Sequence, residues 1–79
     1  MRAKVQVFLK PGVLDVQGKA IEGALHGLGF GGVDHVRVGK TIEFDVKGAD
    51  PAAAEAQVKS MCERLLANTV IESYRVEIA

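Results

Sequence analysis

Few side chains in this sequence have the type and spacing that chemistry needs. A nucleophilic mechanism requires a thiol or hydroxyl with a base in reach and donors for the charge that develops. Cys62 is the lone thiol, and it recurs at helical spacing with Val58 and Leu65, as a small buried hydrophobe does. His26 falls off the apolar positions of its own helical run and His35 falls in an alternating run, so both are expected at the surface. Glu22 and Glu43 are single carboxylates on different elements, and no Cys-x-x-Cys or paired histidine offers metal ligands. No residue is assigned a catalytic, cofactor-binding or metal-binding role.

One stretch groups residues that can hold something: Lys10-Pro11-Gly12-Val13-Leu14-Asp15-Val16-Gln17-Gly18, followed by Lys19. Two lysines, two glycines and the start of a helix are the ingredients of an anion cradle. The same residues also read as a strand-to-helix loop, with Pro11 closing the strand and Asp15 capping the helix. Their spacing matches neither a Walker loop nor a dinucleotide fingerprint.

The elements around this turn follow from periodicity. Val5, Val7 and Leu9 alternate with Lys4, Gln6 and Phe8, which predicts a strand buried on one face. Ile21, Ala24, Leu25 and Leu28 lie on one face of a helix from Val16 to Leu28, stopped by Gly29. Ala20, Gly23, Ala24 and Gly27 run beside that face as a stripe of small residues that admits another backbone, of this chain or of a partner. Val33–Val38 and Thr41–Val46 alternate about Gly39-Lys40 and predict a hairpin, with Val36 and Val38 inward and His35, Arg37, Glu43 and Asp45 outward. Asp50-Pro51 opens a second helix that buries Ala54, Val58, Met61, Cys62 and Leu65, and carries Glu55, Lys59 and Glu63 outside. A last strand sets Tyr74, Val76 and Ile78 against Ser73, Arg75 and Glu77.

The order βαββαβ predicts an α+β, ferredoxin-like split βαβ fold: a four-stranded antiparallel sheet with two helices on one face, in a single domain spanning residues 1–79. RNA-recognition modules share this order but stack bases on aromatics of the central strands, and Phe8 is the only aromatic predicted on the free face. Ten basic residues balance ten acidic ones, which argues against nucleic acid or anionic lipid as a partner. No run is long and apolar enough to span a bilayer, no secretory leader is legible and the single cysteine has no internal partner, so a reduced, cytoplasmic setting is expected. With 79 residues the core is small, and self-association to a homodimer or a tetramer is expected.

Four blocks together resemble the PurS family, the small subunits of phosphoribosylformylglycinamidine (FGAM) synthase. These are Lys10–Gly18, its continuation Lys19-Ala20-Ile21-Glu22-Gly23-Ala24-Leu25, Arg37-Val38-Gly39-Lys40, and Cys62 through Tyr74. Val16 departs from the proline common in the family, which loosens the first turn of the helix and removes no chemistry. The resemblance implies a subunit of a glutamine-hydrolysing, ATP-dependent ligase that has no active site of its own. It joins the large synthase subunit (PurL) to the glutaminase subunit (PurQ) and supports ammonia transfer, while ATP and Mg2+ are used by the complex and are not bound by this chain alone. Candidate docking residues are Lys10, Gly12, Asp15, Gly18, Lys19, Gly23 and Gly27. The alternative from another class is a small-ligand regulatory domain of ACT-like type, which shares the element order.

Overall fold

Strict alternation makes β1 (Arg2–Leu9) the centre of the sheet: Ala3, Val5 and Val7 are fully buried on one face, and Lys4, Gln6 and Phe8 line the other. In the computed structural model, which describes residues 1–79, β1 is followed by α1 (Val16–Gly27), β2 (Gly39–Asp45), α2 (Pro51–Met61) and β3 (Glu72–Ile78). β2 and β3 flank β1, both antiparallel, in the order β2-β1-β3. Val5 sits between Ile42 and Val76, and Lys4 sits between Glu43 and Glu77 on the free face, so cross-strand neighbours there carry opposite charge. At the end of that row Arg2 bridges Asp45 at 3.2 Å.

α2 starts where the sequence predicts. The Asp50 carboxylate accepts from the Ala52 amide at 3.0 Å, and Pro51 occupies the first turn. Glu55 and Lys59 pair on its outer face at 3.1 Å. Its inner face lays Ala54, Val58 and Cys62 over β1, and Val46 and Ala67 complete the buried core. Beyond Met61 the helix widens into a π-helical turn (Cys62–Leu66), in which the Ala67 amide donates to the Cys62 carbonyl at 3.0 Å. This extra residue per turn corrects one expectation: Leu65, predicted in the core, is 83% exposed, and Leu66 takes its place against the sheet.

Cys62 is fully buried, and burial beside Glu63 raises its thiol pKa, so the sulfur stays protonated and unreactive. Cys62→Ala is expected to cost about 1 kcal/mol in urea unfolding. Turnover of the reconstituted enzyme should be retained.

The predicted hairpin does not form, and the sheet has three strands, not four. Gly39 and Lys40 lie inside β2, paired with Phe8 and Val7. Gly39 serves close approach and not a turn, because a Cβ there would meet the Phe8 ring at 2.7 Å and the Val7 carbonyl at 2.9 Å. The chain therefore runs straight through Gly39, and residues 33–38 pass beyond the end of the sheet without pairing into it. Val36 and Val38 leave the predicted inner face, and His35 and Arg37 leave the free face.

α1 goes with them. It ends as expected at Leu28, with Gly29 at φ +99°, yet it makes no extensive contact with the sheet or with α2. Only α2 covers the sheet, which corrects the expectation of two helices on one face. The molecule is 50 Å long and 14 Å thin, with a radius of gyration of 16.0 Å. A compact chain of this length would have about 12 Å.

Candidate functional site

The junction between α1 and the sheet is the most densely bonded polar region of the chain. Asp15 is the N-cap of α1 and is 4% exposed. One carboxylate oxygen accepts from the Gly18 amide at 2.7 Å, as a cap does, and the other accepts from the Val38 amide at 2.7 Å, 23 residues further on. Glu22, about two turns along α1 from its cap, accepts from the Val36 amide at 3.3 Å. Arg37 closes the group by donating to the Val13 carbonyl at 3.0 Å and the Lys10 carbonyl at 3.3 Å. The Gly18 backbone lies against the Val36 carbonyl so closely that a side chain there would collide with it.

The two amides hold the Asp15 carboxyl below its ordinary pKa of 3.8, Val38 contributing most, with the Arg37 charge a smaller cause in the same direction. A carboxylate depressed in the folded state contributes stability above its unfolded pKa, and that contribution is lost as pH falls through the folded value. Acid unfolding should therefore include a component below about pH 4. Asp15→Asn should remove it, as read by amide exchange at Val38 against pH.

The predicted docking residues divide into two groups. Asp15 and Gly18 are buried in this junction and are spent on the chain's own structure. Lys10 and Lys19 are exposed, Lys10 donating to the Thr69 carbonyl at 2.8 Å and Lys19 lying 3.9 Å from Glu22. Gly12 turns the loop at φ +89°. Gly23 and Gly27 face open space, so α2 does not cover the small stripe. Arg37 and Glu22 were not assigned to this group from sequence, because the hairpin reading turned Arg37 towards the opposite side of a sheet. His26 is exposed and bonds the Val33 carbonyl at 2.7 Å, while His35 sits outside any strand at φ +53°.

Beside the junction, α1 and the residues that flank it leave large apolar side chains in water: Val16 is 72% and Leu28 74% exposed, with Leu14, Ile21 and Phe30 also exposed. A cleft of about 400 Å³ opens between the start of α1 and the sheet, walled by Val7, Leu9, Leu14, Val16 and Val38, with Lys40 and Glu72 at its polar edge. Apolar surface of this extent on so small a chain marks contact with other protein.

The fold and this surface define a class: a small α+β interaction subunit whose first helix stands off its sheet. The model of the family described as PurS, phosphoribosylformylglycinamidine (FGAM) synthase, matches residues 2–79. The PurS subunit of Synechocystis is 48% identical over 75 residues, covering 95% of this chain and 75% of the relative. Among solved structures, Bacillus subtilis PurS superposes with a TM-score of 0.86 at 49% identity, over 96% of this chain and 94% of that one. A chain in the structure of PurLQS from Thermotoga maritima gives 0.87 at 33% identity, over 96% and 93%. Likeness over that share of the chain takes in α1 as well as the sheet. The chain belongs to the PurS family and is a PurS subunit of FGAM synthase, the ligase of purine biosynthesis.

Proposed function

We propose that this chain is the assembly subunit of FGAM synthase and that it first assembles with itself by exchanging α1. The observation that carries this reading is that one chain shows both halves of an unmade contact. α1 has an uncovered apolar face, and β2 has an open edge beside half-buried Ile42 and Phe44. In a symmetric pair, residues 33–38 of each copy lie along β2 of the other, and Ile21, Leu25 and Leu28 cover the part of the sheet that α2 leaves. The strand order becomes β3-β1-β2 followed by the second copy's segment, which is the four-stranded ferredoxin-like sheet that the element order predicts. Dimers of such pairs give the tetramer.

The self-assembled unit joins the large synthase subunit (PurL) to the glutaminase subunit (PurQ) and supports ammonia transfer between them. ATP and Mg2+ belong to the complex. The turn with Lys10, Gly12 and Lys19, and the open glycines Gly23 and Gly27, are the docking candidates that the chain's own fold leaves exposed. Association with the other subunits has support in the relative solved as PurLQS.

Three measurements test the reading. Sedimentation should give a pair or a pair of pairs at about 100 μM, well above typical specific dissociation constants; a monomer at that concentration would refute exchange. Pull-down with the large subunit and the glutaminase, under ATP, Mg2+ and glutamine, should recover all three chains. The purified chain alone should form no FGAM from formylglycinamide ribonucleotide under the same conditions, and product formation by it would overturn the assembly role.

A further inference from the structure

The exchange proposed above leaves a question of choice. A chain with this element order can also fold α1 back onto its own sheet, and the structure shows what opposes that. α1 and the extended segment 36–38 are tied together by Asp15 to Val38, Glu22 to Val36 and the close contact of Gly18 with Val36. Arg37 then ties that segment to the turn that ends β1, through the carbonyls of Lys10 and Val13. For α1 to fold back, residues 36–38 must leave the line of β2 and turn at Gly39, which breaks the Val38 and Arg37 bonds.

We propose that Asp15 and Arg37 form a latch that holds α1 away from its own sheet and so commits the chain to a second copy of itself. This inference rests on the exchange reading. Both are positioning residues: they act by fixing the direction in which α1 is presented. The latch also explains why a carboxylate is almost fully buried in a chain this small. Asp15 has every backbone donor it needs from two elements, and a single-ended cap would have done without the second.

Two variants separate the latch from the cap. Asp15→Asn keeps an oxygen for the Gly18 amide and sets an NH2 against the Val38 amide, so it cuts the link to the segment and spares the helix cap. Arg37→Ala removes only the bonds to Lys10 and Val13 and leaves α1 untouched. Each is compared with the unaltered full chain by sedimentation over a range of concentrations, by far-ultraviolet circular dichroism and by amide exchange. The expected result is a dissociation constant raised at least about tenfold in each variant. Helix content should be unchanged, with faster exchange at Val36 and Val38 while β1 keeps its protection. If the unaltered chain pairs and both variants pair equally well despite faster exchange at Val38, the latch is overturned and the exchange reading stands. If the unaltered chain is itself a monomer, the exchange reading fails, and the latch with it. Loss of helix content in Arg37→Ala would also overturn the latch, by making Arg37 a folding residue.

Discussion

Replacing Ile21 and Leu25 on α1 by aspartate is expected to convert the assembled protein into monomers while α2 and the three-stranded sheet stay folded. Neither side chain belongs to the core of the chain itself, which is built from β1, α2 and their neighbours. In the exchanged pair each is buried against the second copy, and a fully buried large aliphatic is worth about 1.5–3 kcal/mol. A pair loses four such side chains and gains four carboxylates beside apolar surface, so the dissociation constant should rise at least about a thousandfold. Sedimentation measures it directly. Ile21→Ala with Leu25→Ala is the control for helix propensity, since alanine favours a helix and aspartate does not. An unchanged dissociation constant in the aspartate variant would show that α1 faces something other than a second copy. The same monomeric variant should fail to support turnover when mixed with the large subunit and the glutaminase, if the pair is the unit they recognise.

The local rules in the sequence were read correctly wherever one element decides its own structure. Alternation placed β1 and β3, the Asp50-Pro51 pair started α2, and Gly29 stopped α1 within a residue of the expected end. Apart from Leu65, the errors are positions where a residue serves a contact between elements. Gly39 between two alternating runs has the form of a hairpin turn, but what it answers to is the Phe8 ring packed against it from β1. Nothing in the spacing distinguishes the two uses of a glycine, so residues 33–38 have the pattern of a fourth strand that the sheet of this chain does not contain. Leu65 fits a period of 3.6 and is displaced only because the turn at Cys62 widens. At the junction, the cap role of Asp15 was legible from its position before a helical run. Its second bond, to Val38, is a product of the straight path through Gly39 and could be seen only once that path was known.

Melting should depend on protein concentration, because a second copy covers apolar surface that the chain alone leaves exposed. The core holds eight apolar residues, three of them alanines, and its largest members are valines. Against this stands the conformational entropy of α1 and of residues 30–38, which gain little burial from being ordered in a single chain. Ordering them becomes favourable when the second copy covers them, so pairing adds to the stability of the folded chain and does so more strongly at higher concentration. For a pair that unfolds to two free chains, the midpoint shifts with concentration by about 2.3RTm²/ΔH per tenfold. With about 0.7 kcal/mol per residue near 60 °C, two chains of this length give about 110 kcal/mol and a rise of about 5 °C per tenfold. Scanning calorimetry from about 5 to 500 μM covers two such steps, and the expected total of about 10 °C lies far outside its error. A midpoint independent of concentration would mean that the three-stranded sheet and α2 melt as a self-sufficient unit, with α1 contributing nothing to the cooperative transition. The Ile21→Asp, Leu25→Asp variant should show that independent behaviour, with a lower midpoint, because its sheet and α2 no longer have a second copy to lean on.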